Sequence, residues 1–384
     1  MTEQLKLKLN DSKATRWGAL VIVAFTMMAA YYVNDVVAPL KTMLETDLAW
    51  SSTDFGFFTG GYSFLNVFFL MLIWGGLILD RFGIRFTGKL ATILMVGGTA
   101  LEYYAMTGLA GADATLFGIN EIFGYKTGVF VAFAGYSIFG VGAEVAGITV
   151  SKIIAKWFKG KELATAMGVQ VALARIGSQA GYAVAIPLAR AFGISTPVLL
   201  GLVLLLGGMV AFFIFAVMDK KLDRQMEVAA IAAGAEDEEE KFSFKDVKNI
   251  LVNPGFWLIA LLCVLFYSCV FPFQKFASEL MIIKYGINEN VAGTFAGLPA
   301  LGALILTPVF GGFIDKRGKS ASIMLLGSAM LICVHFIYAI PDINYWLVAI
   351  VLMIILGIAF SLVPSAMWPA VAKIFPVSQL GTAY

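Results

Sequence analysis

The sequence predicts an all-α polytopic membrane protein built as two pseudo-symmetric six-helix halves. Hydrophobic residues make up 60% of the 384 and charged residues only 14%, far from the balance of a soluble domain. Apolar runs of about twenty residues or more recur, each long enough to cross roughly 30 Å of hydrocarbon. Features of the first half also return in the second at a nearly constant spacing.

The runs fall near residues 17–40, 54–79, 88–108, 126–156, 163–191, 195–218, 254–284, 290–314, 320–340 and 343–373. An eleventh begins near Leu380. Residues 1–16 form a polar N-terminus without a cleavage pattern, so the first run is read as an internal helix. The organisation expected is a cytosolic N-terminus (1–16), a six-helix bundle (17–218), a cytosolic linker (219–253) and a second bundle (254–384) holding helices seven to ten and the start of eleven. The linker carries the run Glu236-Asp237-Glu238-Glu239-Glu240 and reads as a solvated connector.

Orientation follows from the cations. Of 27 Lys and Arg residues, 21 fall on the side of the N-terminus and linker, four on the other side and two within spans. Basic loops stay in the cytosol, so the net charge of +2 reports topology and points to no nucleic acid. Cys263, Cys269 and Cys333 lie inside predicted spans and offer neither a disulfide framework nor metal-ligand spacing. The single histidine, His335, excludes His-based triads and multi-histidine metal centres. No cofactor is expected, and an enzyme is not.

The repeat is explicit. Gly75-Gly76-Leu77-Ile78-Leu79-Asp80-Arg81-Phe82-Gly83-Ile84-Arg85 is echoed by Gly311-Gly312-Phe313-Ile314-Asp315-Lys316-Arg317-Gly318-Lys319, at an offset of 235. Phe158, Leu163, Thr165 and Ala166 are echoed by Phe375, Leu380, Thr382 and Ala383, at an offset of 217. The 18 residues lost between the two echoes belong to the outer loop 109–125, which the second half lacks. By this register about two helices follow residue 384.

Two charged residues stand deep in adjacent runs. Glu144 lies 13 residues before Trp157, and Arg175 lies 13 residues after Glu162, across a short basic turn. As helices, the two runs place both charges at one depth, roughly 20 Å from the turn. Charges at that depth line a bundle interior or a water-filled path, so Glu144 and Arg175 are the expected centre of a substrate site. A structural ion pair between the two spans is the competing reading, although buried pairs are weak evidence for stability.

Tyr31, Asn34, Tyr62, Asn66, Gln170, Tyr182 and Tyr267 lie at similar depth and extend the expected site. Asp35 sits about a turn outward of Tyr31 and is expected to gate or to bind a proton. Lys275 and Glu279, four apart on the seventh span, share a helix face and are expected to pair as a gate contact. Asp80, Arg81, Arg85 and Asp315 belong to the echoed loops and are expected to latch the cytosolic side. Trp368, bracketed by Pro364 and Pro369, sits at an expected bend that aims the indole at the cavity floor.

The loop Asp80-Arg81-Phe82-Gly83-Ile84-Arg85, its second-half copy and the two six-span halves resemble the major facilitator superfamily across the whole chain. Gly142-Ala143-Glu144, Trp157-Phe158-Lys159-Gly160-Lys161-Glu162-Leu163, Ala174-Arg175-Ile176-Gly177-Ser178 and Met367-Trp368-Pro369 are similar to the superfamily's lysosomal dipeptide carriers. The resemblance implies alternating-access transport of small zwitterionic peptides, with Glu144 and Arg175 in the site. An organic-anion or sugar-acid carrier, and a non-transporting membrane sensor or scaffold, are the alternatives. The protein is expected to act as a monomer in the bilayer, with an accessory subunit and proton coupling both left open. No acidic dileucine signal stands at the N-terminus, so the membrane expected is a bacterial cytoplasmic one.

Overall fold

In the computed structural model, residues 8–111, 114–159, 161–233 and 250–374 are described. The chain divides into two compact units, residues 1–235 and 236–384. In the first, the helices are α1 (Lys13–Val36), α2 (Lys41–Asp47), α3 (Ser52–Phe68), α4 (Met71–Thr107), α5 (Thr127–Trp157), α6 (Leu163–Phe192) and α7 (Thr196–Ala233). The second holds α8 (Pro254–Ile283), α9 (Glu289–Ala296), α10 (Leu298–Arg317), α11 (Ser320–Ala339) and α12 (Trp346–Ile374). A two-residue antiparallel pair, β1 (Glu121–Ile122) with β2 (Tyr125–Lys126), sits in the outer loop before α5.

Two breaks differ from unbroken runs. The second run bends by 58° between α3 and α4, where Leu70 adopts a left-handed conformation at φ 53. Helix α4 is itself interrupted at Gly83, whose φ of 76 and ψ of 172 favour glycine and turn the chain from the second run into the third. The sixth run also continues past residue 218, since α7 stays helical to Ala233.

Seven helical stretches among the described residues are long and apolar enough to cross a membrane, or eight if the bent α3–α4 pair is one span. Helix α6 falls short of that test because Gln170, Arg175 and Gln179 dilute its hydropathy. It is nevertheless long enough to cross, 30 residues at about 1.5 Å each.

Close backbone approaches at glycines set how the first unit packs, and two of them lie beside the expected site charges. A Cβ at Gly177 would lie 2.1 Å from the Met28 carbonyl oxygen, so α6 presses its backbone onto α1 there. A Cβ at Gly140 would lie 2.2 Å from the Tyr62 carbonyl oxygen, which brings α5 equally close to α3. Small residues permit such approach in lipid, where dispersion contacts replace hydrophobic driving force. Buried hydroxyls tie the remaining contacts: Tyr32 Oη donates to the Pro197 carbonyl at 3.2 Å, and Thr26 Oγ1 to that of Gly208 at 3.2 Å, which fastens α1 to α7.

The N-terminal residues clasp the turn between α5 and α6. Arg16 reaches Glu162 at 2.7 Å, and Lys161 reaches Asp11 at 2.5 Å. The hydrogen bond from Lys161 holds the Asp11 carboxyl below its ordinary pKa, and that from Arg16 does the same for Glu162. A depressed folded-state pKa means the clasp contributes above the ordinary carboxylate values, about 4, and is lost as pH falls through the folded ones. Amide exchange of residues 9–16, corrected for intrinsic rate, is expected to accelerate below pH about 4 relative to neutral pH; equal protection at both would refute the clasp.

Gly140→Ala and Gly177→Ala are expected to lower thermal stability in detergent by about 1–3 kcal/mol each through overpacking. Gly76→Ala and Gly97→Ala, where an added Cβ meets nothing within 4 Å, are expected to be neutral or stabilising.

Candidate functional site

The two glycine approaches build the site. Tyr62 is pinned against α5 one helical turn before Glu144, and its hydroxyl donates to Glu144 Oε1 at 2.7 Å. Met28 is pinned against α6 beside Arg175, and one turn further along α1 the ring of Tyr31 lies under the guanidinium, 5.5 Å from centroid to Cζ. That separation is within cation–π range. Tyr31 is also within Coulombic reach of Glu144 and Asp35. Four helices, α1, α3, α5 and α6, therefore bring Tyr31, Tyr62, Glu144 and Arg175 into one half-buried polar cluster.

A second layer lies outward. Tyr136 Oη donates to the Asn34 carbonyl at 2.7 Å and lies 3.1 Å from Asn34 Oδ1, while Asn34 Nδ2 donates to Asp35 Oδ1 at 2.9 Å. Buried Tyr182 stands within Coulombic reach of Asp35. Asn34, Asp35 and Tyr182 thus join the cluster expected from sequence, and Tyr136 is an addition. A tyrosine two turns before Glu144 in an otherwise apolar run was the signal for it. Fully buried Glu102 of α4 stands within Coulombic reach of Tyr136.

The other expected liners differ in placement. Asn66 Nδ2 is turned onto the Tyr62 carbonyl of its own helix at 3.3 Å. Gln170 is half-buried on α6, about 7.5 Å along the helix from Arg175 toward its N-terminal end. Tyr267 and Trp368 belong to the second unit. Tyr267 stacks on Phe271 at 5.1 Å and meets Phe360 edge-on, and Trp368 is 37% exposed on α12. Lys275 and Glu279 are half-buried, one turn apart on α8. His335 joins α11 to α8, with Nδ1 2.9 Å from the Leu331 carbonyl and Nε2 3.2 Å from that of Cys269.

The expected latch residues resolve into two contacts inside the first unit. Asp80 pairs with Lys152 of α5 at 2.7 Å, on the surface. Arg85 instead enters a network around Asp219, which is fully buried. Asp219 accepts from Arg85 at 3.3 Å, Lys156 at 2.7 Å and Trp157 Nε1 at 2.9 Å, and Asp223 also pairs with Arg85 and Lys156. Sequence reasoning missed Asp219 and Asp223 because residue 219 was read as the start of the linker. Their four-residue spacing on a helical extension was the available signal. Arg81 is exposed and lies over the Phe82 ring at 5.6 Å. The side chain of Asp315 lies outside the described residues.

Long apolar helices around a half-buried, oppositely charged cluster mark a multi-pass membrane protein. The chain matches the Major Facilitator Superfamily over residues 20–384, and it belongs to that family of alternating-access transporters. It is 29% identical to the lysosomal dipeptide transporter MFSD1 of Homo sapiens over 97% of this chain and 76% of that protein. The Danio rerio transporter of the same name is 27% identical over 95% of this chain and 75% of its own length. Among solved structures, a D-xylose-proton symporter superposes with a TM-score of 0.66 at 16% identity, covering 96% of this chain and 85% of its own. A peptide transporter solved with sulfate gives 0.64 at 14% identity, covering 95% and 84%.

Neutralising Asp219 removes the fully buried charge that Arg85, Lys156 and Trp157 share and leaves both cations to half-exposed Asp223, so Asp219→Asn is expected to cost about 1.5–3 kcal/mol in thermal unfolding. Asp80→Asn, which breaks an exposed pair, is expected to cost about 0–1 kcal/mol. The reverse order would overturn the assignment of Asp219 as the hub.

Proposed function

We propose that the protein carries dipeptides or similar small zwitterionic peptides, with Glu144 and Arg175 receiving the two termini. The observation that carries this reading is the presentation of opposite charges from facing helices, each steadied by its own tyrosine. Arg175 offers a planar fork that binds a carboxylate bidentately, while the Tyr31 ring supports the guanidinium face. Glu144 accepts an ammonium while keeping the Tyr62 hydrogen bond. Tyr31 and Tyr62 flank these charges with rings that tolerate varied peptide side chains. The named activity of the MFSD1 relatives supports the same substrate class.

Carriage works by alternating exposure, and the latch residues Asp80, Arg85 and Asp315 are assigned to its cytosolic side. Asp35, held by Asn34 in the outer layer, is the residue to examine for proton coupling. Dipeptide flux with and without an imposed pH gradient decides whether coupling exists. A bacterial cytoplasmic membrane is the proposed location, while the matched relatives are named lysosomal; fractionation of the source cell checks it.

Arg175→Ala and Glu144→Gln are each expected to reduce dipeptide uptake by reconstituted vesicles about 10–100-fold, the worth of a charge-assisted hydrogen bond of about 1.5–3 kcal/mol. Undiminished uptake by both folded variants would sink the site assignment. Thermal stabilisation by monocarboxylates and none by dipeptides would favour an organic-anion carrier instead.

A further inference from the structure

The outer loop absent from the second half holds a feature that transport does not use. Leu116-Phe117-Gly118-Ile119 and Ile122-Phe123-Gly124-Tyr125 are two copies of one pattern, six residues apart. Each closes as a two-residue hairpin turn. Leu116 and Ile119 exchange backbone hydrogen bonds at 3.0 Å, and Ile122 pairs with Tyr125. Phe117 and Phe123 both have φ 53, followed by glycines at φ 80 and 81.

Turns with two positive φ values favour Asn-Gly or Asp-Gly, and a bulky residue at the first position is an outlier. Neither phenylalanine recovers this cost by burial, because Phe117 is 95% and Phe123 89% exposed. Between them, Ile119 is 50% exposed. The turns are also firmly mounted. Tyr125 stacks on Phe57 at 3.9 Å, Lys126 donates to the Ala49 carbonyl, and Thr127 holds the carbonyls of Asn120 and Ile119. Two strained turns on a rigid mount hold apolar rings outward.

We propose that this hairpin is an aromatic wedge that seats Phe117 and Phe123 in the outer interfacial layer of the bilayer. Its position supports lipid as the occupant. The strand β2 runs directly into the membrane-spanning α5, and the Phe123 ring lies 6.0 Å from Phe130 in the first turn of that helix. The loop tip thus folds back beside the span, at the level where aromatic side chains anchor membrane proteins. Apolar rings inserted at this boundary bury area among headgroups and upper acyl chains, as the apolar face of an interfacial helix does.

The test uses the full chain in liposomes, with Cys263, Cys269 and Cys333 replaced by alanine and a nitroxide attached at one position at a time. Labels at Phe117→Cys and Phe123→Cys are expected to relax faster with oxygen than with a water-soluble nickel chelate, matching a label at exposed Val210 of α7. A pattern matching a label at exposed Glu227 on the cytosolic extension would overturn the proposal. Shielding from both reagents would also overturn it and assign the tips to a protein surface, either a partner or a second copy. A label at Ile119→Cys then separates insertion from folding. In the Phe117→Asn/Phe123→Asn background, whose turns suit the backbone better, its oxygen preference is expected to fall toward that of Glu227. An unchanged preference there would remove the phenylalanines from the anchor.

Discussion

The site depends on how closely two helix pairs can approach. Gly140 lets α5 touch the backbone of α3 at Tyr62, and Gly177 lets α6 touch α1 at Met28. Each contact lies within one turn of a charged residue, so backbone packing decides where the charge stands. Tyrosines, the rigid polar groups nearest to those contacts, then take fixed positions against Glu144 and Arg175. A larger residue at either glycine would part the helices and move the charge away from its tyrosine. Charges held this way avoid the disorder that an exposed pair pays for in side-chain entropy.

The same unit ties the helices near the α5–α6 turn by a different device. Asp219 is buried and gathers Arg85 from beside the Gly83 break of α4 and Lys156 and Trp157 from the end of α5, while Asp80 pairs with Lys152 on the surface. Low local dielectric makes the first set strong and dependent on complete pairing. Water and salt weaken the second. Two acidic residues near one membrane face are thus unequal, the buried one holding the helix ends together and the exposed one free to exchange.

Several elements were legible because membrane physics leaves few options. A span must satisfy its own backbone hydrogen bonds, so apolar length alone announces helices such as α5 and α12. The depth of Glu144 and Arg175 followed from helical rise and a shared turn. Tyr136 was harder to see, since its role depends on Asn34, 102 residues away in sequence. Asn66 was expected to line the site beside Tyr62, and its amide bonds back to the Tyr62 carbonyl of the same helix. Side-chain rotamers settle such alternatives, and spacing does not encode them.

By itself the sequence determined the all-α membrane class, the repeat and the pair of charges at one depth. These follow from hydropathy and helical rise, both local or periodic properties. Tertiary structure alone decided which tyrosine meets which charge, that Asp219 is a buried hub, and that the outer loop stands as strained phenylalanine turns. Those outcomes rest on close approach between segments far apart in the chain, where a difference of one methyl group at Gly140 or Gly177 changes the packing.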